Sequence, residues 1–368
     1  MQLKNKNTRQ LKISLCTTCM NRLEHLEETL PLNVFANRAY ENLEFLILDY
    51  NSQHAILPYL QNNFPEQLIS GRLKYYRTDY PRWYSMSHSR NLAFKLATGD
   101  ILCNIDADNF TGEGFADFVN KKFLNNEKIF LSTHTVSQKK SDVLGRLCVD
   151  RRDFMEVRGY DEAMKYYGFD DYDLILRLQA NGLKMIGIID PKYLVTLKHS
   201  DELRLKNFEH ANHLAMLLIK HVTPFESLLV YCFEDGSFVS GSIVNVYASK
   251  VQKSILGSAF KFILKEKTWS QGKWKLLHNN NLSLSLGEVE RVLVPKWENQ
   301  FVFEKTKQSE IYHHIKSKSI IASAQMFFSQ ISNRLIMEGN STSNLLINPD
   351  SFGVGEVIDS TGKLIKLL

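Results

Sequence analysis

Up to about residue 200, short apolar runs alternate with patterns of helical period. Leu11 to Thr18 reads as a strand, and Arg22 to Leu30 as a helix with Leu23, Leu26 and Leu30 on one face. Leu43 to Asp49 is almost continuously apolar, the mark of a strand covered on both faces. Leu73 to Thr78 gives a third strand, Ser85 to Thr98 a helix, and Ile101 to Ile105 a fourth strand. This rhythm predicts an α/β domain: an open, mostly parallel sheet with helices on both faces. Ligands of such sheets bind beyond the carboxyl ends of the strands. Asp49, Asp106 and Asp108 fall at those ends.

Ile129 to Thr133, Gly145 to Val149, Met185 to Ile189 and Tyr193 to Leu197 read as further short strands. A helix begins near Asp171, turns Leu174, Ile175 and Leu178 inward, and stops at Asn181-Gly182. Lys206 to Lys220 has the spacing of another amphipathic helix, and Thr223-Pro224 marks a domain boundary. The expected division is a domain over 1–221 and a second over 222–368. Beyond the boundary, Leu228 to Phe233, Phe238 to Tyr247, Phe260 to Leu264, Leu282 to Leu286, Val289 to Val294 and Phe301 to Phe303 are β-prone and separated by turn residues. They predict an antiparallel β-rich domain, interrupted by one long helix from about Glu310 to Met337. Asn344 to Asn348 and Val354 to Ile358 are read as closing strands.

The composition changes this picture little. The 368 residues are 44% hydrophobic and 23% charged, an ordinary balance that fits two domains better than one small core. The net charge of +5 is spread along the chain, which argues against nucleic-acid binding. It is compatible with peripheral association with anionic lipid, and a homo-oligomer is equally compatible. Five cysteines, an odd number lying mostly in apolar runs, read as reduced thiols of a cytoplasmic protein. Cys16 and Cys19 form a C-x-x-C with no second pair at zinc spacing. The polar start of the chain lacks a signal-peptide core, and no stretch reaches the ~20 apolar residues of a bilayer span.

Two acidic clusters carry the candidate chemistry. Asp106-Ala107-Asp108 ends an apolar strand, where alternate residues point the same way. A D-x-D recurs by chance, but its place after Gly99-Asp100 and a strand, and before Asn109, suits a hard-oxygen site for Mn2+ or Mg2+ carrying a diphosphate. One carboxylate would take the metal while the other orients a ribose or a water. Asp170, Asp171 and Asp173 open a helix after Gly168-Phe169. Helix capping accounts for one acid, not three, and a second carboxylate here can accept a proton from a sugar hydroxyl. His199, downstream of both clusters, is a candidate third metal ligand. Arg90, beside Asn91, could pair bidentately with a phosphate or a base carbonyl. Thr17, Arg22, Asp49 and Ser52 flank the first two strand ends, where a nucleoside would dock.

The order of these segments resembles glycosyltransferase family 2, with the GT-A fold, over about residues 11–200. Ser14-Leu15-Cys16-Thr17-Thr18-Cys19-Met20-Asn21-Arg22 is similar to that family's first strand and Asn-Arg turn. Leu46 to Ser52 resembles its second strand, and Ser87-His88-Ser89-Arg90-Asn91 its Ala-Arg-Asn helix, with Ser89 in place of alanine. Arg158 to Glu162 and Gly168 to Leu174 resemble the acceptor-side segment of galactosyl- and N-acetylgalactosaminyl-type enzymes. Their Trp-Gly-Gly-Glu-Asp is replaced here by Tyr167-Gly168-Phe169-Asp170-Asp171.

The resemblance implies an inverting, metal-dependent hexosyl- or N-acetylhexosaminyltransferase. A UDP-sugar is the donor, and a saccharide or lipid-linked hydroxyl the acceptor. It implies Asp171 as the general base with Asp170 beside it, Asp108 and His199 as metal ligands, and Asp106, Arg90 and Asn91 on the donor together with Thr17, Arg22, Asp49 and Ser52. Asp49 would read the base. A role in polysaccharide biosynthesis at the inner face of a membrane follows. The alternatives are a non-catalytic sugar- or nucleotide-binding protein on the same fold, and a sugar-nucleotide pyrophosphorylase. The second would need a glycine-rich N-terminal loop that is absent here.

Overall fold

The computed structural model describes residues 9–134, 143–198, 200–245, 262–264, 269–304, 309–342 and 346–368. The chain divides into two compact units. One comprises Met1–His199 with Ile336–Leu368, the other Ser200–Leu335. The division expected at 221/222 therefore falls inside the second unit.

The first unit is built on β1 (Ile13–Cys19), β2 (Leu43–Tyr50), β3 (Leu73–Thr78) and β4 (Ile101–Asn104), all parallel. β5 (Asn109–Phe110) leaves the sheet. It is followed by β6 (Ile129–Ser132), β7 (Leu147–Asp150) and β8 (Lys184–Gly187). β7 runs antiparallel to both β4 and β6, and β8 is parallel to β6. A short strand β9 (Val195–Thr196) pairs with β5. The helices are α1 (Leu23–Ala36), α2 (Ile56–Asn63), α3 (Pro65–Ile69), α4 (Met86–Leu96), α5 (Phe115–Asn125), α6 (Arg151–Glu156) and α7 (Asp170–Ala180). Every residue of β2 is buried, as its apolar run requires. Two apolar clusters fill this unit, each built on alternate residues of the same strands. This is the α/β architecture expected for the GT-A fold.

The register sets the site. Parallel pairing places Cys19 beside Asp49 and Asp49 beside Arg77, all at carboxyl ends. Asn21 and Asn51, at φ 55° and 57°, turn the chain after β1 and β2; asparagine tolerates this left-handed conformation better than other side chains do. The Asn21 side-chain oxygen accepts the Gln53 amide at 2.7 Å, clasping the two turns together.

The second unit opens with α8 (Asp201–Leu205) and α9 (Glu209–Asn212). Its strands are β10 (Leu214–Thr223), β11 (Glu226–Phe233), β12 (Ser237–Asn245), β13 (Phe262–Leu264), β14 (Ser270–Leu276), β15 (Leu282–Leu286), β16 (Val289–Trp297), β17 (Gln300–Phe303) and β18 (Glu310–His314). All are antiparallel, and the β11–β12 pairing closes eight of them into a barrel, with β13 appended to β12. Leu218, Val230, Cys232, Phe238, Leu282, Leu284, Leu293 and Tyr312 fill it. The β-rich expectation holds.

Some boundaries differ. The apolar stretch within Lys206 to Lys220 is mostly β10, and Thr223-Pro224 lies at the hairpin into β11. Pairing with β11 and β18 overrides helical spacing there. Glu310 begins a strand, and the long helix α10 runs Lys318–Thr342. Its residues from Ile336 onward belong to the first unit. No strand forms over 346–348 among the described residues, while β19 (Gly355–Asp359) joins the edge of β3 antiparallel and pairs with β20 (Leu364–Leu367). The C-terminal segment thus extends the first sheet.

Candidate active site

At the carboxyl end of the first sheet, α4 presents Arg90. Ser85 caps this helix, its hydroxyl accepting the His88 amide. One face, including Arg90 and Asn91, is buried. Arg90 is 2% exposed, and its fork is taken by carboxylates. Nη1 donates to Asp170 at 2.5 Å and to Asp171 at 2.8 Å, and Nη2 to Asp106 at 3.1 Å. The sequence offered this arginine to a phosphate or a base carbonyl. The fold makes it the hub that joins the two acidic clusters. One guanidinium faces three carboxylates, so the centre carries excess negative charge. Asp170 is 1% exposed, Asp171 13% and Asp106 32%. Asp171 and Asp106 are therefore reachable, whereas Asp170 is closed off.

Burial raises the Asp171 carboxyl well above the ordinary carboxylate range. Arg90 pulls it back, and Asp170 and Asp106 push it up again. Asp170 is raised for the same leading reason, against the pull of Arg90. The three acids of α7 stand in its first turn, but the residue that caps it is Phe169, at φ 67° and with no side-chain bond to the helix. Asp173 instead pairs with Arg177 at 2.7 Å.

The D-x-D is held from behind. Asn104 donates to Asp106 at 2.9 Å and to the Gly145 carbonyl at 2.9 Å. A side chain at Gly145 would place its Cβ 2.5 Å from Asp106 Oδ2 and 2.7 Å from Arg90 Nη2, so any larger residue there would displace this pair. Asn109 donates to Asp108 Oδ1 at 2.7 Å, and its own carbonyl oxygen accepts from buried Arg146 at 3.2 Å. Arginine only donates, so this contact fixes which way the Asn109 amide faces. Asp108 also accepts on its backbone from Leu197 and Thr196. Asn109 was noted only for its place after the D-x-D; Asn104, Gly145 and Arg146 were missed in the sequence, where each sits as an ordinary residue of a strand end or loop.

The remaining donor-side candidates lie around the ends of β1 and β2. Ser52 Oγ accepts the Asn21 amide at 3.0 Å and donates to the Cys19 carbonyl. Asp49 is buried and accepts from the Ser52 amide, from Tyr75 and from Arg77, at 2.9, 2.9 and 2.8 Å. Asn91 is also spent internally: it exchanges bonds with Tyr160 and donates to Glu162 at 2.8 Å. Thr17 is buried at the end of β1. Burial lowers the Arg22 guanidinium, and the charge of Asp108 works the other way, which places this arginine in the field of the D-x-D. His199 lies outside the described residues.

No group of three or more His, Cys, Asp or Glu side chains forms a ready metal shell among the described residues. The donor set nevertheless fits a hard divalent cation: Asp108 is a partly exposed carboxylate at a strand end, with one oxygen oriented by Asn109. The five cysteines are free and buried. Among the described residues no helix is long and apolar enough to cross a membrane.

Fold and strand-end acids together define a GT-A-type α/β domain. Residues 14–144 match the model of glycosyl transferase family 2, and residues 134–210 match the model described as the N-terminal domain of galactosyltransferase. The similarity to family 2 glycosyltransferases thus lies over residues 14–144. The second model covers the segment that bears Asp170 and Asp171. No curated protein matches the sequence. Among solved structures, the mannosyltransferase PcManGT from Pyrobaculum calidifontis, in complex with GDP-Man and Mn2+, is 19% identical with a TM-score of 0.41 over 50% of this chain and 56% of that one. S. aureus TarS gives 14%, 0.41, 50% and 59%. A mutant Drosophila β1,4-galactosyltransferase 7, in complex with manganese, UDP-Gal and xylobiose, gives 14%, 0.37, 54% and 75%. The chain thus spans less than two thirds of the first two structures.

Proposed function

We propose that this protein is an inverting glycosyltransferase that moves a hexosyl or N-acetylhexosaminyl group from a UDP-sugar to the hydroxyl of a saccharide or lipid-linked acceptor. The observation that carries this reading is Asp171: a reachable carboxylate whose pKa is raised, tied through Arg90 to the first acid of the D-x-D. A carboxyl raised above the ordinary carboxylate range is a stronger base than an exposed aspartate. Asp171 takes the proton of the acceptor hydroxyl. The hydroxyl oxygen attacks the anomeric carbon from the face opposite the diphosphate, the bond to the diphosphate breaks, and the configuration inverts. Arg90 holds Asp171 and Asp106 in fixed relation and shields their mutual repulsion. Asp108, with His199 as the expected partner, would hold Mn2+ or Mg2+, which supplies neutralisation of the leaving diphosphate. Asp106, Thr17, Arg22 and Ser52 face the nucleoside side. The barrel carries none of these residues, and we assign it to the acceptor or to a protein partner.

The test is a donor screen. Purified protein with Mn2+ is offered a panel of nucleotide sugars, and nucleoside diphosphate release is followed by chromatography. Release of UDP that needs the metal is the expected result. Tight nucleotide binding without release from any donor would favour the non-catalytic alternative.

A further inference from the structure

The approach to the acid pair, from Arg158 to Phe169, contains no helix or strand, so its backbone groups need partners elsewhere. Many come from the C-terminal segment of the same unit. Asn348 donates to the carbonyls of Arg158 and Tyr160, each at 2.8 Å, and accepts the Glu162 amide at 3.0 Å. Arg158 returns bonds to the carbonyls of Ile347, Asn348 and Pro349. The Gly353 amide donates to Glu162 Oε1 at 2.6 Å, the atom that also accepts from Asn91. Asn340 bridges the loop and the helix, donating to Asp161 at 2.8 Å and to Asp173 at 2.9 Å. Gly159, at φ 66°, leaves no room for a Cβ against Asn91 and Phe352. On the other side of this loop, α4 touches both parts of the site: Asn91 holds the loop and its neighbour Arg90 holds the acids.

We infer that Asn340 and residues 346–368 act as a strap that positions the acid pair, with Asn348 and Asn340 as positioning residues. This rests on the reading of Asp171 as the base. Neither asparagine touches the reacting atoms. Each fixes the loop or first turn from which Asp170 and Asp171 project, and an error of about 1 Å in such placement can lower a rate about 10²-fold.

Asn348→Ala and Asn340→Ala in the full-length protein test it, with two readouts. Amide hydrogen exchange across residues 158–173 should accelerate about tenfold or more while β1 and β2 stay protected. The kcat should fall about 10- to 100-fold, with KM for the nucleotide sugar changed by no more than about twofold. Unchanged exchange in 158–173 overturns the strap. Faster exchange with unchanged kcat overturns its positioning role. If Asn348→Ala does not fold, Asn340→Ala carries both readouts. If the wild-type protein turns over no nucleotide sugar, the base assignment fails, and the exchange result alone decides whether the strap holds the acid-bearing segment.

Discussion

Two buried charge clusters lie at opposite ends of the same sheet. At the amino end, Glu44 near the start of β2 is 2% exposed and accepts from Ser14 at 2.5 Å, from the Thr98 amide and hydroxyl at 2.5 and 2.6 Å, and pairs with Lys74 at 2.7 Å. Burial alone would raise its carboxyl, but these partners outweigh burial and bring it down to about 2. At the carboxyl end, Asp171 has one guanidinium, shared with two other carboxylates, and its carboxyl rises. Similar burial yields opposite shifts because donors exceed charge at one end and charge exceeds donors at the other. The satisfied cluster contributes stability. The oversubscribed one holds reactive charge that stability alone would have removed.

The sharpest way to break this comparison is to remove Arg90. Arg90→Met leaves three carboxylates without their cation and should cost about 3–5 kcal/mol in urea unfolding. A loss below about 1 kcal/mol would mean that water already screens the centre. Asp171→Asn separates function from stability. Turnover should fall about 10²-fold or more, while the melting temperature holds or rises because one repelling charge is gone. A clear drop in melting temperature would show that Asp171 stabilises the fold, against the comparison.

Glu44→Gln should do the reverse. Its lowered pKa implies about 3 kcal/mol of stability, lost in the variant with turnover unchanged; calorimetry and an activity assay check both halves. The smallest effect is in the pH dependence. Glu44 has a folded pKa below its unfolded value, so its contribution is complete above about 4.5 and is lost as pH falls toward about 2. Asp170 and Asp171 have raised folded values, so their ionised forms cost stability, and that cost is relieved as falling pH protonates them. Stability should therefore stay level or rise slightly on mild acidification, then fall below about pH 4.5. In Glu44→Gln the fall should be shallower. A wild-type curve that declines steadily from neutrality would contradict the assignment at the acid pair.

The two ends were unequally legible in the sequence. Strand-end aspartates announce themselves, because an acid closing an apolar run has few bland explanations. Glu44 interrupts the apolar run of β2 and drew no notice, since its partners come from β1, β3 and the loop after α4. Arg90 was noticed as a partner for a phosphate or a base carbonyl, not as the hub of the two acidic clusters. A helix period shows that it faces inward, and nothing local shows that Asp106, Asp170 and Asp171 converge on it.

The sequence by itself determined the alternation of strands and helices in the first unit, the antiparallel β texture of the second, and the two acidic motifs. These depend on periods and residue types that act over a few residues. Only the tertiary structure decided the rest. The 200–335 unit is an excursion from which the chain returns to complete the first sheet through β19 and β20. The stretch within Lys206 to Lys220 became a strand because barrel partners claimed its backbone. The site became one cluster because Asp171, 81 residues beyond Arg90 in the chain, meets Arg90 and Asp106 in space through charge-assisted hydrogen bonds. No local rule encodes such separations: long-range pairing follows from which surfaces can be buried together, and that is settled only when the whole core is assembled.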